Sequence, residues 1–104
     1  MCGIAGLVLA SEHPQAPHVL GEMLHRIQHR GPDSAGSYSA SIPGEQTVHL
    51  GFRRLAIRDL DPRANQPMVS ASGRTAIVFN GEVYNSEALA TEHLEHHARR
   101  TSGD

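Results

Sequence analysis

The chain opens Met1-Cys2-Gly3-Ile4-Ala5-Gly6-Leu7-Val8-Leu9-Ala10, and this stretch decides how the rest is read. Residues 3–10 are apolar and punctuated by Gly3 and Gly6, the pattern of a strand buried on both faces with another backbone passing close to it. Directly in front stands Cys2, the single cysteine of the chain. Removal of Met1 would leave a free α-amino group on that cysteine. An α-amine titrates near ~8, well below a lysine side chain, so a useful fraction is neutral at neutral pH. It can take the thiol proton directly or through one water, which makes nucleophile and base a single residue. A cysteine near a chain start is also a common accident, so position alone does not make Cys2 catalytic.

Outward from this strand, the spacing of Val19, Leu20, Met23, Leu24 and Ile27 predicts a helix from about Pro17 to Gln28, with Pro17 in its first turn. Gly31-Pro32-Asp33 stops it. Ser37 to Glu45 reads as a variable surface turn. Thr47 to Phe52 is β-rich, followed by Leu55-Ala56-Ile57, and Asp59 to Gln66 is polar enough for a loop. Arg74 to Phe79 reads as another buried strand, broken by Asn80-Gly81. A second helix should begin near Asn85 or Ser86. With Asn85 as N-cap, Tyr84 and Leu89 occupy the positions of a hydrophobic staple, and the polar stretch Glu92 to Arg100 lies at the surface. The order is that of a mixed α/β (α+β) domain, without internal repeats.

At 104 residues the chain is one domain at most. Its 38% apolar content and formal net charge of −2 suit an ordinary globular chain and give no electrostatic case for nucleic acid or an anionic membrane. All 9 basic residues are Arg, which excludes a phosphate-loop or Schiff-base lysine within these residues. A single cysteine excludes an internal disulfide. The apolar run is too short to span a bilayer and has no basic segment before it. These features lead to the expectation of a soluble, cytoplasmic chain.

A thiolate attacking an amide needs donors for the tetrahedral oxyanion. Asn80-Gly81 offers a side-chain amide and a backbone N–H side by side, although an Asn-Gly pair is more often a plain turn. Arg54 beside a strand suits a carboxylate, because its planar fork binds both oxygens, and Asp104 could pair an ammonium. His25 and His29 on the first helix, with His93, His96 and His97 on the second, have spacings that can bind zinc. No acidic ligand accompanies them at a motif position, so no metal is expected. No nucleophile elbow and no carboxylate pair stands out.

Met1 to Gly6 resembles the opening of the class II, N-terminal-nucleophile glutamine amidotransferases. His29-Arg30-Gly31-Pro32-Asp33 is similar to a turn of the asparagine-synthetase branch. Arg54-Leu55-Ala56-Ile57 with Gln66-Pro67-Met68 resembles its glutamine-binding strand and following loop, and Phe79 to Asn85 resembles its oxyanion-hole segment. Ser34-Ala35-Gly36 is slightly similar to the sister branches that make glucosamine phosphate or phosphoribosylamine, which have another residue at the place of Pro32.

The resemblance implies a four-layer αββα N-terminal-nucleophile hydrolase fold, of which residues 1–104 are the N-terminal part. It implies Cys2 as nucleophile with its own amine as base, and Asn80 and Gly81 as oxyanion hole. Glutamine would be contacted by Arg54, Leu55, Ala56, Ile57 and Arg58, by Asn80, Gly81 and Glu82, and by Asp104 at its ammonium. The family's domain is longer than this chain, so its second sheet and helix layer are expected to be largely missing, together with the synthetase domain that uses ATP and Mg2+. Ammonia would pass to that domain for amidation of aspartate, and the resemblance allows a homodimer of the parent protein. The alternatives are a relative with another carboxylate acceptor, or an inactive truncated remnant.

Overall fold

The computed structural model describes residues 1–57 and 60–98. Strand β1 (Gly3–Leu9), helix α1 (Ala16–Arg26), strand β2 (Ser34–Ser41) and strand β3 (Thr47–Arg54) form the larger unit. β3 is the middle of an antiparallel sheet of order β1-β3-β2. Its register sets Gly3 opposite Arg53 on one side and Ser34 opposite Arg54 on the other. β2 and β3 are a hairpin whose turn is closed by Ile42 and Gln46, with Gly44 at φ 73°, a left-handed conformation that glycine adopts freely.

Helix α1 lies on one face of β1 and β3. It fits closely because the positions beneath it lack side chains: a Cβ on Gly51 would stand 2.9 Å from Leu24, and one on Gly3 2.9 Å from Ile27. Ala16, Leu20 and Leu24 are buried in this contact, and Phe52 is buried in the sheet. The core is therefore small. Pro17 sits in the first helical turn, and a 3-10 turn, Gln28–Arg30, carries the chain off the helix end. His49 is also buried, with Nδ1 2.8 Å from Ser39 Oγ, while its Nε2 has no hydrogen-bond partner among the described residues.

A smaller ladder, β4 (Met68–Val69) with β5 (Ala76–Ile77), follows a 3-10 turn at Pro62–Ala64. The bond between Gln66 and Pro67 is cis. Helix α2 (Ser86–His93) comes last among the described residues.

The structure corrects several expectations. β1 is not buried on both faces. Successive side chains alternate across a strand, α1 covers only one side, and Ile4 and Val8 on the other are 49% and 63% exposed. The segment expected as a surface turn, Ser37 to Glu45, is largely strand β2. Its alternation of Ser37, Ser39 and Ser41 with Gly36, Tyr38 and Ala40 is too polar to read as a strand until β3 supplies the ladder. The expected buried strand Arg74 to Phe79 shrinks to Ala76–Ile77, and Ile77 is 54% exposed, because its partner β4 is equally short. Asn85 does hold the N-cap position of α2, but its side chain caps nothing, and Tyr84 is 96% exposed, so no staple forms.

Candidate active site

The chemistry-bearing residues gather where β1 begins and β3 ends. Cys2 immediately precedes β1, and the register that pairs Gly3 with Arg53 brings its thiol to the residues that follow β3. The Leu55 N–H donates to Cys2 Sγ at 3.3 Å, and the thiol can donate to Leu55 O at 3.7 Å. The Cys2 carbonyl accepts from Arg30 Nε at 3.1 Å. The sulfur is half-buried and has a backbone donor that would serve a thiolate better than a thiol, since bonds to a charged acceptor are stronger.

The turn Gly31-Pro32-Asp33 grips the same segment. Gly31 lies directly on the Arg53–Arg54 peptide, where an added Cβ would overlap backbone atoms. Arg53 Nε donates to Gly31 O at 2.8 Å. The Asp33 N–H donates to Arg54 O at 3.0 Å, while the Asp33 carboxylate accepts the Ala56 N–H at 2.7 Å. Asp33 thus brackets Arg54 and Ala56 from one position.

Arg54 is buried, at 8% exposure. Among the described residues its guanidinium donates from Nη1 to Asp61 O at 3.0 Å and to Asn65 Oδ1 at 2.8 Å. Asn65 Oδ1 also accepts from Ser34 Oγ at 3.2 Å. These two acceptors are neutral oxygens, and a planar guanidinium has further N–H groups with which it can take a carboxylate. Nearby, the Asp61 carboxyl is lowered to about 2, chiefly by hydrogen bonds from the Arg63 side chain and backbone, with the Arg63 and Arg54 charges adding to the effect.

Asn80 and Gly81 reach this assembly through Gln66. Its carboxamide pairs with the backbone of Phe79: Nε2 donates to Phe79 O at 3.1 Å, and the Phe79 N–H donates to Oε1 at 2.5 Å. The Phe79 ring lies against Gly81, where a Cβ would come within 2.8 Å of Cζ. Asn80, Gly81 and Glu82 are all exposed.

The structure therefore brings Cys2, Arg54, Leu55 and Ala56 together around the sheet end. Ile57, 71% exposed, leads away from it, and Asn80-Gly81 forms a separate arm. Arg58 and Asp104 lie outside the described residues. Sequence reasoning did not single out the supporting roles of Arg30, Asp33, Asn65 and Gln66. Only the place of the first two in the turn, and of Gln66 beside Pro67, hinted at them. Among the described residues no group of three or more His, Cys, Asp and Glu could hold a metal, and no helix is long and apolar enough to cross a membrane.

A family model described as the glutamine amidotransferase domain matches residues 1–104. The asparagine synthetase [glutamine-hydrolyzing] of Triphysaria versicolor is 38% identical over 106 residues, covering 100% of this chain and 17% of that protein. Asparagine synthetase [glutamine-hydrolyzing] 1 of Arabidopsis thaliana is 36% identical over 106 residues, with the same coverage. Asparagine synthetase [glutamine-hydrolyzing] 2 of Bacillus subtilis (strain 168) is 36% identical over 107 residues, covering 100% of this chain and 13% of that protein. The chain thus spans less than a fifth of the length of these relatives. No solved structure matches it. With the family pattern running from Met1 to the last residue, the sheet end built around Cys2 has its context: the chain belongs to the glutamine amidotransferase domain family.

Proposed function

We propose that residues 1–104 supply the glutaminase half-reaction of a glutamine-hydrolysing asparagine synthetase, as the N-terminal part of a class II amidotransferase domain. One observation carries this reading: Cys2 Sγ is held by the N–H of Leu55, next to the buried cation Arg54. A nucleophile and a carboxylate receptor are thereby fixed on neighbouring positions of one sheet end.

In this reading the mature chain starts at Cys2, and exposed Met1 is removed. The α-amine takes the thiol proton, and the thiolate, steadied by the Leu55 N–H, attacks the side-chain amide carbon of glutamine. Asn80 and Gly81 donate to the oxyanion. Collapse breaks the C–N bond, the ammonium proton goes to the leaving nitrogen, and ammonia departs from a γ-glutamyl thioester. Water, deprotonated by the same amine, releases glutamate. Arg54 receives the substrate carboxylate, Leu55, Ala56, Ile57 and Arg58 contact the substrate just beyond the end of β3, Glu82 contacts it too and Asp104 pairs its ammonium.

The four-layer αββα arrangement belongs to the same proposal, with a second sheet laid over the face that exposes Ile4 and Val8. So do transfer of ammonia to a synthetase part that uses ATP and Mg2+ with aspartate as acceptor, a cytoplasmic location and a homodimer. The residues described here supply no metal ligand set, and no step of the half-reaction runs through either cofactor.

The test is glutamate release from glutamine by the longest product of the reading frame that encodes this chain. Cys2→Ala should abolish it while leaving ammonia-dependent amidation in place. Glutamine hydrolysis by a folded Cys2→Ala variant, or by a preparation that keeps Met1, defeats the reading.

A further inference from the structure

The ladder between β4 and β5 pairs Met68 with Ile77 and Val69 with Ala76. Continued outward, that register sets Pro67 opposite Val78 and Gln66 opposite Phe79. The Ser70 N–H donates to Thr75 O, and hydrogen-bonded pairs alternate along an antiparallel ladder. Pro67 therefore falls at a position that asks for no N–H, and Gln66 opposite Phe79 is the next hydrogen-bonded pair, beyond the last ladder pair at Met68. At the Gln66 position the side chain takes over: its carboxamide, using one of its N–H groups and its oxygen as a peptide would, satisfies both the N–H and the C=O of Phe79. Phe79 is held as if a further strand residue lay beside it, and Asn80 and Gly81 come next in the chain.

The other end of Gln66 is fixed to the large sheet. Its carbonyl oxygen lies on Gly36 of β2, so closely that any Cβ there would overlap it. The preceding residue, Asn65, accepts from Arg54 Nη1 and Ser34 Oγ. One residue therefore spans from the sheet that carries Cys2 and Arg54 to the backbone that presents Asn80 and Gly81.

We propose that Gln66 is a positioning residue for the oxyanion donors: its carboxamide sets where Asn80 and Gly81 stand relative to Cys2. The proposal rests on the glutaminase reading above. Misplacing catalytic groups by about 1 Å can cost on the order of 10²-fold in rate, and the Asn80–Gly81 arm, being exposed, has little packing to restore its position.

The test uses the same full-length product, with glutamine as substrate and iodoacetamide as a probe of Cys2. Gln66→Met keeps side-chain volume but loses both bonds. It should lower kcat by about ten- to hundredfold, change KM little, and leave Cys2 alkylation at the wild-type rate, because alkylation needs no oxyanion donor. Gln66→Glu keeps the acceptor and loses the donor at neutral pH. A protonated carboxyl supplies both again, and carboxyls titrate near ~4.3, so its kcat relative to wild type should rise as pH falls from about 8 to about 5. Wild-type kcat in both variants overturns the role of Gln66 alone. Equal loss of kcat and alkylation rate, or a Gln66→Glu ratio flat with pH, marks a merely structural residue and also overturns it. Absence of glutamate release by the wild-type protein overturns the glutaminase reading first, and this proposal with it.

Discussion

The sheet end around Cys2 and the arm at Asn80-Gly81 are built on opposite principles. The first is held redundantly. The ladder fixes Gly3, the Gly31-Pro32-Asp33 turn brackets Arg54 and Ala56, Arg30 holds the Cys2 carbonyl, and Arg54 is buried. The second is exposed, follows a ladder of minimal length, and depends on the Gln66 carboxamide for its alignment. In the proposed mechanism, a nucleophile that also serves as base needs a fixed address. Donors that act on a developing charge need to be correctly placed, and a few directional bonds can do that without burial.

Asn80→Ala is expected to give the largest effect on this contrast. Loss of one oxyanion donor should lower the glutaminase kcat by roughly 10²–10³ with KM nearly unchanged. A change confined to KM would make Asn80 a turn residue.

The glycines sharpen the comparison. Gly31→Ala drives a methyl into the Arg53–Arg54 backbone, which cannot step aside. Overpacking of this kind costs about 1–3 kcal/mol, and the melting temperature should fall accordingly. Gly81→Ala meets the Phe79 ring first, which can swing away. Its melting temperature should stay near wild type while kcat falls. Equal destabilisation by both would mean that the arm is as tightly packed as the sheet end.

Arg54→Lys should act on binding. An ammonium lacks the planar fork, and losing a charge-assisted bond of about 1.5 kcal/mol or more should raise KM for glutamine about tenfold, with kcat less affected. A fall in kcat alone would place Arg54 in support of Cys2 instead.

The smallest effect is expected at Asp61. Its carboxyl is lowered to about 2 by Arg63 first and by the Arg54 charge last. A folded-state value below the unfolded one, near ~3.9, means that the ionised group contributes stability above that pH and loses it as pH falls towards 2. Thermal melts of wild type and Asp61→Asn should differ slightly at pH 5 and converge near pH 2. A gap that persists at pH 2 would point to lost geometry rather than lost charge.

The framework of the sheet end around Cys2 was readable in advance because its signals are local. An apolar run behind Cys2, an apolar stripe from Val19 to Ile27 and the turn at Gly31-Pro32-Asp33 each carry their own meaning, and the resemblance named the glutamine amidotransferase family. What escaped depends on neighbours distant in sequence. β2 is serine-rich and becomes a strand only through β3. Tyr84 had the spacing of a staple residue but nothing to pack on. The apolar β1 suggested burial on both faces, whereas α1 covers only one. Asn65 and Gln66 looked like ordinary loop residues because nothing local shows that their amides reach Arg54 and Phe79.

The bond from Arg30 Nε to the Cys2 carbonyl has a kinetic meaning if the chain is processed as proposed. New termini fray unless tied down, and under the proposed mechanism a fraying Cys2 would carry its thiol and amine together away from the substrate amide. With the carbonyl held by Arg30, the sulfur by Leu55 and Gly3 locked in the ladder, the proposed removal of Met1 would leave thiol and amine already aimed at the substrate, with a high effective molarity of the amine toward the departing nitrogen.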